Sequence, residues 1–406
     1  MKYLLLLYII LNPIFFLCDV EPRDAQQLFY QLSSVALFAS SFFFYNKEVK
    51  KNKAHLWLGV LLLLALYSWI RSMAGWSQAL NLLLGTLVYF TVIRTIRKDD
   101  IPFILKGIGI LGAFAVIYLT LQLSGFDIFG ITNRAPPYGR LLTKSSFFYS
   151  NSAMGLYFAE IIPLVLALSP FAGICAVGLL IPTVLSQCAV ALAGAGIGIL
   201  FFFWFRKRIV FWCLLIPALA AGAVFLSDSE NLWSYQIRLP MWGMVLQDSL
   251  KNPLGFGWDE FSEPKQPGHW KYVRESCGKM AHKTLKMIKR PDKSWELDRP
   301  VSEEFALAYS RKQAELSEWD HPHNEYLWLM YEGGVASFVA LMFIFYYIWQ
   351  RFERSYRDIL SCAFMASLVS IAICAAGQFN LHLARVGHLL PVILGFFYIS
   401  TEVSDG

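Results

Sequence analysis

The sequence has few charged residues: 16% of its 406 residues are Asp, Glu, Lys or Arg, whereas 56% are hydrophobic. A soluble domain of this size could not keep so much apolar surface away from water. Apolar stretches recur along the chain, with about the 17–25 residues that a helix needs to cross a bilayer. The composition therefore excludes a soluble globular protein and predicts an all-α polytopic membrane protein.

The sequence also lacks paired cysteines in its long polar segment and a nucleic-acid-binding motif. Cys277 is the only cysteine among residues 227–325, so this polar segment has no internal disulfide. The net charge of +6 is not accompanied by a basic stripe with a nucleic-acid-binding motif. We therefore expect membrane lipids rather than nucleic acid as the partners of the excess positive charge.

Twelve apolar runs are predicted to form membrane-spanning helices. They lie near 3–18, 28–45, 54–70, 76–93, 103–124, 150–168, 171–186, 188–205, 209–226, 326–349, 358–377 and 386–400. No small-residue cleavage site follows the first run, which we interpret as a retained span rather than a signal peptide. We expect a first transmembrane bundle of about nine spans over 1–226. A large external loop with amphipathic helices over 227–325 and the last three spans with a cytoplasmic tail over 326–406 would follow.

The lysines and arginines of the short loops predict the orientation of these spans. Four basic clusters follow the second, fourth, eighth and tenth runs: Lys47, Lys50, Lys51 and Lys53; Arg94, Arg97 and Lys98; Arg206, Lys207 and Arg208; and Arg351, Arg354 and Arg357. All four follow even-numbered runs and so lie on one side, which the excess of positive charge assigns to the cytoplasm. We expect both termini in the cytoplasm and residues 227–325 on the outer side.

A polar motif, His321-Pro322-His323-Asn324-Glu325, stands where the external segment meets the tenth apolar run. Pro322 suits the first turn of a helix, where its missing N–H is not needed. The positive end of the helix dipole would favour a neutral imidazole in this motif, and a neutral imidazole can act as a base. The alternative is an interfacial anchor, because such side chains are common where a helix leaves the bilayer.

Upstream in the same segment, Pro240 is predicted to open a helix over 241–251, with Arg238 just before it. The apolar face of this helix is predicted to comprise Met241, Trp242, Val245, Leu246 and Leu250. Asn252-Pro253 should end the helix, and Gly255-Phe256-Gly257 predicts a sharp turn that orients Trp258 and Phe261. A second amphipathic helix is predicted over 303–319.

The eighth apolar run is rich in small residues. Gly194 and Gly198 lie four residues apart, a spacing that lets helix backbones approach closely in lipid. The run therefore predicts close helix packing.

Three motifs of the external segment resemble the O-antigen ligase/polymerase superfamily. They are Arg238-Leu239-Pro240-Met241-Trp242, Asn252 to Phe261, and His321 to Leu327 with Glu332-Gly333-Gly334. The superfamily comprises bacterial inner-membrane glycosyltransferases, including protein O-oligosaccharyltransferases. Its order is an arginine–tryptophan helix, a proline–glycine turn and a His-Asn pair that opens the next span. The resemblance covers about residues 140–350, with a weaker match from Arg140 to Asn151.

The resemblance implies transfer of a glycan from a polyprenyl diphosphate carrier to an acceptor hydroxyl, on the periplasmic side of the inner membrane. By match to the family, His323 would be the general base and Arg238 would hold the diphosphate, since guanidinium can bond two phosphate oxygens. The expected substrate-binding residues are Arg140, Arg385, Asn324, Gln187, His321 and Trp242. No cofactor and no metal are implied.

One departure concerns the cation that is expected to help hold the donor diphosphate. Where many members have Ser-Arg-Gly, this chain has Ser186-Gln187-Cys188. Either Arg140 or Arg385 supplies that charge, or this subgroup binds its donor differently.

The identity of the acceptor and three other interpretations stay open at this point. Lipid A–core sugar is the preferred acceptor; another lipid-linked glycan or a protein Ser or Thr would present the same hydroxyl.

Zinc bound by His321 and His323 would need a distant third ligand, which is not apparent. A transporter would also have twelve spans, but carriers place their binding groups near the bilayer midplane, whereas the polar motifs here crowd the outer edge. An external domain that only binds or tethers glycan is a further possibility.

Overall fold

The computed structural model describes thirteen parts of the chain: 1–14, 22–44, 53–73, 76–128, 151–168, 172–186, 188–227, 238–258, 261, 287–289, 295–297, 324–377 and 387–402. Within them, the α-helices are α1 Lys2–Ile14, α2 Pro22–Ser41, α3 Lys53–Ser72, α4 Trp76–Thr95, α5 Ile101–Leu123, α6 Asn151–Leu166, α7 Ala172–Leu185, α8 Ala189–Arg206, α9 Arg208–Ser227, α10 Leu239–Lys251, α11 Glu325–Gly333, α12 Val335–Ser355, α13 Ile359–Ala375 and α14 Leu389–Ser400. A 3-10 turn, Lys98–Asp100, leads into α5.

Each predicted apolar run coincides with a helix, except the tenth, which forms the two helices α11 and α12. Four helical segments of the described residues are long and apolar enough to cross a membrane: Lys53–Ser72, Lys98–Leu123, Ala189–Arg206 and Val335–Ser355. Several of the other helices are apolar but shorter. The chain is therefore helical with segments of membrane-spanning length, as its composition predicted.

A short antiparallel hairpin interrupts the helical pattern within residues 227–325. Strand β1, Met287–Lys289, pairs with β2, Trp295–Leu297, so that Ile288 lies opposite Glu296. The sequence analysis did not predict this hairpin. The predicted helix over 303–319 lies outside the described residues.

Contacts divide the chain into two compact units. The first unit comprises Met1–Leu62, Ser77–Cys213 and Leu341–Gly406, and the second comprises Leu63–Trp76 and Leu214–Ala340. The boundaries of these units differ from those of the predicted segments 1–226, 227–325 and 326–406. The predicted segments describe membrane topology and stay a prediction.

In the first unit, α8 packs closely against α13 through its small residues. A Cβ added to Gly194 would lie 2.6 Å from Cys374 Sγ, and one added to Gly198 would lie 3.1 Å from the Ala366 carbonyl oxygen. Only glycine leaves room for this approach, so the predicted close packing is confirmed.

Serine hydroxyls of α13 bond to the backbone of α6. Pro163 lies inside α6 and has no N–H to donate to the carbonyl of Ala159, four residues earlier. Ser370 Oγ donates to that carbonyl oxygen at 2.8 Å, and Ser367 Oγ donates to the Glu160 carbonyl oxygen at 2.5 Å. A proline is tolerated in α6 because a neighbouring helix supplies the missing donor.

Basic residues predicted to share one side of the membrane are neighbours at one end of the first unit. Arg206 Nη1 donates to the Arg357 carbonyl oxygen at 2.5 Å, and Lys98 Nζ lies 3.9 Å from Asp358 Oδ2. Lys98 also donates to the Ser400 carbonyl oxygen at 3.3 Å. These contacts link the ends of α8, α12 and α14, and the side of the membrane that they face stays a prediction.

Candidate functional site

The second unit brings the Asn252–Trp258 turn against the break between α11 and α12. Phe256 N–H donates to the Tyr331 carbonyl oxygen at 2.9 Å, and Gly257 N–H donates to the Glu332 carbonyl oxygen at 3.0 Å. Val335 N–H donates in the other direction, to the Pro253 carbonyl oxygen at 2.9 Å. The last carbonyls of a helix have no intrahelical partner. Here the turn supplies the donors, so two of the three motifs are hydrogen-bonded to each other.

Three glycines with positive φ make this contact possible. Gly255, Gly257 and Gly334 have φ of 77°, 108° and 84°. A Cβ on Gly255 would lie 2.4 Å from the Glu332 carbonyl oxygen, and one on Gly334 would lie 2.6 Å from the Pro253 carbonyl oxygen. The positions therefore need glycine for both backbone conformation and space. The predicted sharp turn at Gly255-Phe256-Gly257 is confirmed.

The C-terminal part of α3 supports the turn from a distant part of the sequence. The Arg71 guanidinium donates to the Gly255 carbonyl oxygen, and Ser68 Oγ donates to the Glu332 carbonyl oxygen at 2.8 Å. Trp258 Nε1 donates to the Ala65 carbonyl oxygen at 2.9 Å. Sequence reasoning missed this contribution. The available signal was Arg71 itself, a cation at the end of an apolar run predicted to face outward.

Aromatic side chains fill the space under the turn. The Phe256 ring stacks on the Tyr331 ring with centroids 4.4 Å apart, and Phe261 meets the same ring edge-on at 5.2 Å. Tyr331, Trp258 and Phe261 are all buried. Trp258 and Phe261, which the turn was predicted to orient, therefore lie in the interior of the second unit.

Helix α10 places Arg238 in the interior of the second unit. The helix begins at Leu239, two residues earlier than predicted, and Arg238 is its N-cap residue. Arg238 is only 7% exposed, and it shares one helix face with the fully buried Met241 and Val245, since these residues are three and seven positions further on. The arginine of the first motif therefore lies on the buried face of α10.

The predicted apolar face of α10 is correct only in part. Leu246 and Leu250 are 42% and 64% exposed, whereas Ser249 is fully buried. Ser249 continues the line of Met241 and Val245 at four-residue intervals, and its hydroxyl donates to the Val245 carbonyl oxygen at 2.7 Å. The buried face of α10 therefore includes a serine and leaves out two leucines, so it could not be identified from hydrophobicity alone. Trp242 is partly buried.

Helix α11 begins at Glu325 and not in a first turn containing Pro322. Asn324 is the N-cap residue with extended backbone, and its Oδ1 accepts a hydrogen bond from Leu327 N–H at 3.1 Å. An asparagine side chain in this position satisfies one of the free N–H groups of the helix start. The prediction of one uninterrupted helix over 326–349 is wrong. Gly334, with its positive φ, ends α11 because the Asn252–Trp258 turn binds there.

Two carboxyl groups are buried on α11. Glu325 is 5% exposed and Glu332 is 1% exposed, and their seven-residue spacing places them on the same side of the helix. A buried charge requires partners, because its desolvation is costly. The second unit therefore combines two buried carboxyls with the buried Arg238.

Of the predicted site residues, Arg238, Trp242 and Asn324 lie in the described part of the second unit. The remaining ones lie outside the described residues: Arg140, Gln187, His321, His323 and Arg385. His323 directly precedes the Asn324 cap in the sequence. Among the described residues, no group of three or more His, Cys, Asp and Glu side chains could hold a metal ion.

Compared with known proteins, the chain matches neither a protein-family model nor a curated sequence. The resemblance stated above therefore rests on its motifs and stays a prediction.

Proposed function

We propose that this protein is an O-antigen ligase-like glycosyltransferase that uses a polyprenyl diphosphate-linked glycan as donor. The observation that supports the proposal best is the hydrogen-bonded contact between the Asn252–Trp258 turn and the Tyr331–Gly334 helix end. The second and third motifs are far apart in the sequence, yet backbone hydrogen bonds between residues 253–257 and 331–335 hold them together. Helix α10, which carries the first motif, packs against α11 in the same unit.

In the proposed reaction the acceptor hydroxyl oxygen attacks the anomeric carbon of the donor glycan. The new glycosidic bond forms as the bond between that carbon and the diphosphate oxygen breaks. His323 takes the hydroxyl proton, and polyprenyl diphosphate leaves. The role of the protein is mainly to position the two substrates and to meet the charge of the leaving group.

Arg238 is proposed to bind the diphosphate. A guanidinium group stays charged in any protein environment and can donate two parallel hydrogen bonds to phosphate oxygens. Its position on the buried face of α10 holds its backbone firmly relative to α11. Fixed cations stabilise a developing charge better than mobile ones, because they need no reorganisation.

The proposed setting is the bacterial inner membrane, crossed by about twelve helices with both termini in the cytoplasm. The four basic clusters support this orientation, and the contacts among Lys98, Arg206, Arg357 and Asp358 agree with it. Residues 227–325 would then face the periplasm. Lipid A–core sugar is the proposed acceptor, with a growing glycan or a protein hydroxyl as the alternatives.

Release of polyprenyl diphosphate tests the proposed function directly. Purified protein in lipid nanodiscs would receive lipid-linked glycan, with and without lipid A–core acceptor, in the presence of chelator. We expect acceptor-dependent release that Arg238→Lys removes, because lysine lacks the bidentate fork. Lys251→Arg, a matched exchange on the exposed end of the same helix, should keep full activity. Absence of release with every acceptor, or release that requires added metal, would contradict the proposal.

A further inference from the structure

An apolar groove lies on the first unit, beside the end of α8. It has a volume of about 330 Å³ and is lined by Ile197, Leu200, Phe201, Trp204, Phe205, Phe211 and Trp349. These residues belong to the last three turns of α8, the first turn of α9 and the C-terminal half of α12. The groove therefore runs from the α8–α9 turn along helices of membrane-spanning length.

Aromatic contacts hold the groove walls in place. Trp204 and Phe211 meet with ring centroids 4.9 Å apart, so the ends of α8 and α9 are packed together. Phe201 contacts Phe205 at 5.0 Å and Trp349 at 6.3 Å, which joins α8 to α12. The groove is thus a feature of three packed helices and not of one mobile side chain.

Cations surround the groove at its α8–α9 end. Arg206 Nη1 donates to the Arg357 carbonyl oxygen at 2.5 Å, so the α8–α9 turn lies next to the turn after α12. The Arg208 guanidinium lies 5.4 Å from the centre of the Trp204 ring, on the groove wall itself. Five exposed basic residues belong to these two turns: Arg206, Lys207, Arg208, Arg354 and Arg357.

The five exposed cations outnumber the carboxylates beside them, Glu353 and Asp358. Asp358 accepts hydrogen bonds from Ser361 and lies 3.9 Å from Lys98 Nζ. Glu353 accepts a hydrogen bond from Trp349 Nε1 at 2.7 Å. Clustered cations repel each other and attract an anion that can neutralise them. An apolar groove that ends at such a cluster matches a molecule with an apolar chain and an anionic head.

We propose that this groove binds an anionic phospholipid, with an acyl chain along Phe201 and Trp204 and the headgroup phosphate at Arg206 and Arg208. Basic pockets between membrane helices bind anionic headgroups in this way. Guanidinium groups suit the role because they donate paired hydrogen bonds to phosphate oxygens. The site lies in the first unit and does not depend on the proposed glycosyltransferase activity.

Photolabelling with phosphatidylglycerol that carries a photoactivatable acyl chain tests the site, with labelled peptides mapped by mass spectrometry. We expect labels on peptides containing 197–211 or Trp349, and competition by unlabelled phosphatidylglycerol but not by phosphatidylcholine. Removing two surface cations with Arg206→Gln and Arg208→Gln should weaken binding roughly 10- to 30-fold. The matched control, Arg94→Gln with Arg97→Gln at the end of α4, should leave labelling unchanged.

Two single variants separate the headgroup contribution from the acyl-chain contribution. Arg208→Gln alone changes one exposed side chain and replaces the double variant if that variant does not accumulate. Trp204→Gln should reduce labelling by lowering the affinity of the groove for the chain itself. Equal competition by phosphatidylcholine would overturn the proposal, as would labelling that neither the arginine nor the Trp204 variant reduces. Stronger competition by polyprenyl phosphate than by phosphatidylglycerol would also overturn it.

Discussion

Glycine has different roles in the two units of this protein. In the first unit, Gly194 and Gly198 lie within a regular helix and bring α8 close to α13. In the second unit, Gly255, Gly257 and Gly334 have positive φ and allow a turn to bond to a helix break. The first use stabilises an apolar bundle through close packing. The second allows an irregular turn, and the two residues proposed for catalysis, Arg238 and His323, fall within the range of that unit.

The largest expected effect is the loss of glycan transfer when His323 is replaced, which would assign the reaction to the second unit. His323→Ala should reduce glycan transfer by about 10²–10⁴-fold, the usual loss when a general base is removed. The protein should still insert and accumulate, which immunoblotting of membranes would check. His321→Ala is the matched control and should be milder. Normal transfer by a well-expressed His323→Ala variant would remove the proposed base.

The second prediction concerns the turn of the second unit. Gly255→Ala should destabilise it by about 2–4 kcal/mol, because a Cβ adds both backbone strain and overlap with the Glu332 carbonyl. Thermal aggregation of detergent-purified protein would measure the loss, and transfer should fall with it. Gly243→Ala in α10 is the control, since a Cβ there meets nothing within 4 Å. Equal stability of the two variants would show that the turn is not held as described.

A third prediction concerns the packing glycines of the first unit. Gly194→Ala should destabilise the protein by about 1–3 kcal/mol, the usual effect of overpacking, because its Cβ would lie 2.6 Å from Cys374 Sγ. Gly196→Ala, two residues along the same helix, adds a Cβ into open space and should be neutral or slightly stabilising. A reversed order in the same thermal measurement would contradict the packing of α8 on α13.

The smallest expected effect concerns the Ala159 carbonyl of α6, which has no backbone donor because Pro163 lacks an N–H. Ser370→Ala should cost about 1 kcal/mol, because the Ala159 carbonyl loses the hydroxyl donor that compensates for Pro163. Pro163→Ala restores a backbone donor, so Ser370→Ala should cost less in that background. A double-mutant cycle on thermal stability measures this coupling. Strictly additive effects would show that the hydroxyl does not replace the proline's missing N–H.

The helical class and nearly every helix position were predictable from the sequence. Membrane-spanning runs are long and continuous, so hydrophobicity alone reveals them, whatever their neighbours are. The same holds for Gly194 and Gly198, whose four-residue spacing indicates a helix–helix contact within one run. The turn at Gly255-Phe256-Gly257 was also predictable, because glycine favours local conformations that other residues avoid.

The partners of that turn were decided by the tertiary structure. Arg71 and Ser68 come from an apolar helix far away in the sequence, and no motif identifies the carbonyls of Tyr331 and Glu332 as acceptors for the turn. The break at Gly334 likewise follows from a hydrogen bond between Val335 and Pro253, so hydropathy alone predicted one helix where two exist. Local composition determines which segments are helices, because helix formation satisfies the backbone within each segment. Some helix ends also have local signals, such as Asn252-Pro253 after Lys251. Which side chains become buried depends on contacts between distant segments, which no local pattern contains.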